Sequence, residues 1–105
     1  MSQASEILNE LKERLSEIYG DRLVKLVLFG SQARGDAEPG SDIDVMVVLK
    51  GLVSPCEEIH RTGEQVAKIS LDRDVVVCCV FMAEDRFERE RSPLLLNVRR
   101  EGIPL

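Results

Sequence analysis

With 105 residues, 44% apolar and 31% charged, the chain has material for one domain with a modest core, spanning 1–105. Its net charge of −5 argues against a long nucleic acid as partner, since such ligands are held by a basic face. The longest apolar run, Val75 to Met82, falls far short of the roughly 20 residues needed to cross a bilayer, and no basic-then-apolar leader precedes the first helix. The expectation is therefore a cytoplasmic protein without a membrane partner.

In chain order, Ala4, Ile7, Leu8, Leu11, Leu15 and Ile18 form one helical stripe, with Gly20 as its natural stop. Leu23 to Phe29 reads as a strand apolar on both faces and hence buried. Gly30 then permits a sharp turn, and Ser31 opens a short helix. Gly35 to Ser41, with Pro39-Gly40, is a loop in which Asp36 and Glu38 serve solvation. The next strand is Ile43 to Leu49, and the short connection favours antiparallel pairing with the first, which brings Ser31 beside Asp42.

Ser54-Pro55-Cys56-Glu57 is a helix start with a serine cap, a proline at the first position and a glutamate completing a capping box. Cys56, Ile59, Gly63, Val66 and Ala67 are expected to be its buried face, to about Ile69, with His60 at the core edge. Asp74 to Phe81 is the third strand, and a strand–helix–strand unit of this length favours parallel pairing with the second. That pairing places Asp74 beside Asp42 and Asp44, with Asp72, two residues earlier, as a competitor. Glu84 to Arg91 reads as a solvated turn or short helix. Ser92-Pro93 caps a last helix, Leu94 to Glu101, stopped by Gly102, and Ile103 to Leu105 adds a short edge strand. Leu94-Leu95-Leu96 is core, with a contact surface as the alternative. The three cysteines lack metal-ligand spacing and read as reduced thiols packed as small hydrophobes.

The chemistry concentrates between the first two strands. Alternate strand residues share a face, so Asp42 and Asp44 point the same way, about 6.5–7 Å apart along the backbone. Two like charges at that range resist joint ionisation, and a divalent cation relieves them. Mg²⁺ suits such a site, because it takes one or two carboxylates together with substrate phosphates. Gly30 and Ser31 offer the complement: free amides and a hydroxyl that suit a phosphate, although Ser31 also serves as a simple helix cap. Arg34 either touches phosphates or pairs with Asp36 or Asp42. A phosphate cradle facing a carboxylate pair points to phosphoryl or nucleotidyl transfer.

Gly30-Ser31, ten intervening residues and Asp42-x-Asp44 resemble the Gly-Ser-x10-Asp-x-Asp motif of the DNA polymerase β-like nucleotidyltransferase superfamily. The length resembles its smallest members, the minimal nucleotidyltransferases (MNT) that pair with HEPN proteins. The resemblance implies an α/β (α+β) fold, a small mixed sheet of three to four strands covered by helices. It implies that Asp42, Asp44 and Asp74 are catalytic and hold two Mg²⁺ ions, with ATP as nucleotide donor gripped by Gly30, Ser31 and Arg34. It further implies transfer of AMP to a hydroxyl, namely a tyrosine of a partner HEPN toxin that this chain would silence as antitoxin. Two alternatives stay open: a catalytically silent antitoxin that binds sterically, and a small-molecule, aminoglycoside-like nucleotidyltransferase subunit. A homo-oligomer is compatible with each.

Overall fold

A computed structural model of the chain describes residues 3–35 and 42–105. Helix α1, Gln3–Tyr19, passes through a single 3-10 turn into strand β1, Leu23–Phe29. A one-turn helix α2, Ser31–Arg34, precedes β2, Ile43–Leu49. Helix α3, Pro55–Arg73, leads to β3, Val77–Ala83, and α4, Glu84–Arg89, follows directly. Helix α5, Pro93–Glu101, and the two-residue β4, Ile103–Pro104, complete the described chain. The loop 36–41, with Asp36 and Glu38, and the side chains of Ala4 and Ser31 lie outside the described residues.

The strands form one mixed sheet in the order β3-β2-β1-β4. β1 runs antiparallel to β2, with Phe29 level with Asp44, while β2 and β3 are parallel, with Asp44 level with Cys78. Strand alternation divides the side chains between two apolar layers. Val45, Val47, Leu49, Leu26, Leu28 and Phe81 join Ile7, Leu11 and Leu15 of α1 on one face. Met46, Val48, Val27 and Met82 pack on the other face with Phe87 of α4 and with Leu95 and Val98 of α5. Full burial of side chains such as Leu11, Leu15 and Leu95 contributes about 1.5–3 kcal/mol each to holding the layers together. No described helix is long and apolar enough to cross a membrane.

Four sequence expectations are corrected. The third strand begins at Val77 rather than Asp74 and runs to Ala83 rather than Phe81. The cause is the length of α3, which continues past Ile69 to Arg73 and ends with Asp74 in the left-handed region at φ 52°, ψ 51°. Aspartate is among the few non-glycine residues that tolerate this conformation. The Asp74 and Val75 N–H groups both donate to the Ser70 carbonyl, so these residues finish the helix instead of starting a strand. At the other end of α3, Ser54 occupies the cap position but its side chain makes no capping hydrogen bond.

The buried face of α3 is the third correction. Glu58, Thr62 and Ile69 are buried, whereas Cys56 and Ala67 are exposed and Ile59 is 55% exposed. A hydrogen-bond network makes the inward glutamate tolerable, as a buried charge requires. Tyr19 donates its hydroxyl to Glu58 Oε1 at 2.9 Å, Arg61 and Arg22 lie 3.7 and 4.0 Å from the carboxylate, and Thr62 Oγ1 donates to the Glu58 carbonyl. Burial, then the Glu58 hydrogen bond and charge, hold the Tyr19 hydroxyl above its ordinary pKa. Among the leucines of α5 only Leu95 is core; Leu94 and Leu96 are 42% and 50% exposed.

Candidate active site

β1 ends at Gly30, whose φ of +78° turns the chain out of the sheet in a conformation few other residues adopt. The Ala33 and Arg34 N–H groups donate back to the Gly30 carbonyl at 3.1 and 3.2 Å, closing the turn of α2. This places the Gly30 backbone against the head of β2. A Cβ at position 30 would lie 2.5 Å from Asp44 Oδ2, so any other residue here must push the Asp44 carboxylate aside as well as adopt this φ.

Asp44 is half-buried on β2, and the next residues on its face, Met46 and Val48, belong to the apolar layer beneath α4 and α5. Desolvation raises its carboxyl above the ordinary aspartate value, and the charge of Asp42 adds to the shift. Asp42, exposed one step before β2, accepts a weak hydrogen bond at 3.8 Å from the Cys78 thiol. Burial, the charges of Asp42 and Asp44 and this hydrogen bond all push the Cys78 thiol up, so it stands beside the carboxylates as a neutral donor. Cys79 points to the opposite face, and burial pushes its thiol up to about 12.

The structure thus brings Gly30, Asp42 and Asp44 to one corner of the sheet. Asp74 is exposed at the exit of α3, three residues before β3, and Asp72 is exposed on the last turn of that helix. The β3 residue level with Asp44 is Cys78, which the sequence reading had classed only as a packed thiol. Its signal was available: strand alternation from Phe81 through Cys79 and Val77 puts Cys78 on the carboxylate face once the start of the strand is known. Arg34 lies 3.7 Å from Glu101 of α5, a partner outside the expected set of Asp36 and Asp42.

Two carboxylates without a cationic partner among the described residues fit a hard divalent ion that completes its shell with water and phosphate oxygens. Among the described residues, no group of three or more His, Cys, Asp or Glu side chains is arranged to hold a metal by itself. The donor set therefore suits a metal that arrives with a nucleotide.

Residues 8–100 match the family model of the nucleotidyltransferase domain, and the chain belongs to that family. The fold is that of a minimal nucleotidyltransferase. A Methanocaldococcus jannaschii relative named as a candidate protein adenylyltransferase, MJ0604, is 46% identical over 98 residues, covering 92% of this chain and 88% of its own. A second from the same organism, MJ0141, carries the same name and is 35% identical over 72 residues, covering 69% of this chain and 72% of its own. The fold also matches a toxin–antitoxin crystal structure with AMP-PNP, with a TM-score of 0.67, 22% identity and coverage of 91% of this chain and 69% of that one. A tri-AMPylated Shewanella oneidensis HEPN toxin in complex with MNT antitoxin matches with a TM-score of 0.60, 21% identity and coverage of 95% and 69%.

Proposed function

We propose that this nucleotidyltransferase moves AMP from ATP to a hydroxyl of a protein, specifically a tyrosine of a HEPN-family partner whose toxicity it silences. The observation that carries the reading is the contact between the Gly30 backbone and Asp44, with Asp42 on the same face. A nucleotide phosphate seated at the Gly30-Ser31 turn meets the carboxylate pair directly. The relatives named for protein adenylylation support a protein acceptor, and the neighbouring toxin–antitoxin complexes support the kind of partner.

In the reaction, the acceptor hydroxyl gives up its proton to water, its oxygen bonds to the α-phosphorus, the bond from that phosphorus to its bridging oxygen breaks, and pyrophosphate leaves. Asp42 and Asp44 would hold the Mg²⁺ ions. When bound, Mg²⁺ neutralises charge on the triphosphate and lowers the pKa of the attacking hydroxyl. The turn at Gly30 orients the phosphates, with the Ser31 hydroxyl and Arg34 assigned to the same task. Cys78 supplies a neutral, small wall beside Asp42. Asp74 is assigned no ligand role, because it leaves α3 ahead of the strand that faces the pair.

Labelled ATP, Mg²⁺ and the purified partner test this proposal. A covalent AMP adduct on a partner tyrosine should form with the wild-type chain, disappear in Asp42→Asn and Asp44→Asn, and survive in Asp74→Asn. Silencing that persists in the first two variants without any adduct would show steric neutralisation instead.

A further inference from the structure

We propose that the polypeptide acceptor docks as an added strand on the free edge of β3, with its apolar side chains in the groove between β3 and α3. This inference rests on the protein-acceptor reading above and names how that acceptor is held.

β3 is an outer strand of the sheet, and its sequence, Val77-Cys78-Cys79-Val80-Phe81-Met82, has none of the charges or prolines that protect exposed edges. Because the Ile43 N–H donates to the Val76 carbonyl, even-numbered residues of β3 turn their amides toward β2. Val77, Cys79 and Phe81 therefore turn theirs outward. Ser70 Oγ accepts the Val77 N–H at 3.3 Å, and no described strand covers the remaining groups. An edge of this kind is recognised by an extended backbone.

The groove beside it is apolar, about 460 Å³, and is lined by Ile59, Gly63, Val66 and Ala67 of α3 facing Cys79 and Phe81. The α3 residues are the stripe whose spacing predicts burial, yet Ile59 is 55% exposed and Ala67 is exposed. The chain has built an apolar face and left it open along its open strand edge. The groove is also continuous with the site: Cys78 lies on its border and donates to Asp42.

Strand periodicity then orients the guest. A residue level with Cys78 that projects to the Asp44 face has neighbours on both sides projecting to the opposite face, into the groove. Adjacent strands lie about 4.8 Å apart, which puts the guest backbone about 9–10 Å from β2. Only a long side chain crosses that gap, passing over the small Cys78, so a tyrosine hydroxyl reaches the aspartates and a serine hydroxyl does not.

A fluorescent synthetic peptide with a central tyrosine between two valines, and the same peptide N-methylated at alternate backbone amides, test the proposal by anisotropy on the full chain. The unmodified peptide should bind, and the methylated form should lose about tenfold or more, the effect of two or more missing backbone hydrogen bonds. Gly63→Leu fills the groove where a Cβ meets nothing within 4 Å, so it should keep or raise the melting temperature and keep the Mg²⁺–ATP response while weakening the peptide by a similar factor. No peptide binding, equal binding of the methylated form, or unchanged affinity in Gly63→Leu would overturn the proposal. So would a wild-type dimer that Gly63→Leu dissociates, since the edge would then belong to a second copy. Binding without an AMP adduct supports the docking and sinks the transfer reading; equal adducts on both peptides sink the docking alone.

Discussion

The backbone of Gly30 faces the carboxylate of Asp44 so closely that a methyl group at position 30 would stand 2.5 Å from Oδ2. The contact joins the end of β1 to the second residue of β2, so the turn assigned to phosphate and the acid assigned to metal form one unit.

Gly30→Ala should therefore damage both parts. The φ of +78° costs a residue with a Cβ about 1–2 kcal/mol, and the Asp44 carboxylate must also move away. Urea melts should show a loss of at least that size. Thermal melts with Mg²⁺ and ATP should show a ligand shift well below the wild-type value.

The metal-free protein should carry a pH-dependent penalty at Asp44. Its folded pKa is raised, so its contribution is fully present below the unfolded value of about 3.9 and is lost as pH rises through the folded value. Melting temperature without metal should fall as pH climbs from about 4, and Asp44→Asn should flatten that fall. At neutral pH this variant should melt higher than the wild-type chain.

Mg²⁺ with ATP should reverse that order. A ligand at one hundred times its Kd adds about 2.7 kcal/mol to stability, and Asp44→Asn should lose most of it. An unchanged ligand shift in this variant would remove Asp44 from the site.

Tyr19→Phe should destabilise the fold by about 1.5–3 kcal/mol in urea melts, because it leaves the buried Glu58 carboxylate without a hydroxyl donor. Glu58→Gln keeps an acceptor for Tyr19 and should cost less. A larger loss in Glu58→Gln than in Tyr19→Phe would mean that the arginines, not the hydroxyl, hold the glutamate.

Gly63→Ala should raise stability by up to about 1 kcal/mol, since position 63 is inside α3 and an added Cβ meets nothing within 4 Å. Circular dichroism melts measure this directly.

Local signals foretold much of this molecule. The α1 stripe, the antiparallel and parallel pairings and the Ser92 cap of α5 follow from periodicity, loop length and capping chemistry, and the structure contains each. The shared face of Asp42 and Asp44 likewise follows from strand alternation. Spacing failed where two conformations compete over a few residues. Val75 and Val76 have the β-branched character of a strand, yet α3 takes about one further turn past Ile69, with Asp74 as its cap, which moves the start of β3 and gives Cys78 the position beside the carboxylates.

The sequence by itself determined the pieces: an acidic single chain, a glycine-serine turn, two aspartates at strand spacing and an apolar stripe on α3. Tertiary structure decided which pieces meet. Glu58 turned inward because Tyr19 and Arg22, from outside α3, satisfy it together with Arg61 three residues on, and that rotation left Ile59 and Ala67 facing outward along β3. Helix periodicity records which residues share a face, but partners distant in the chain determine which face is buried.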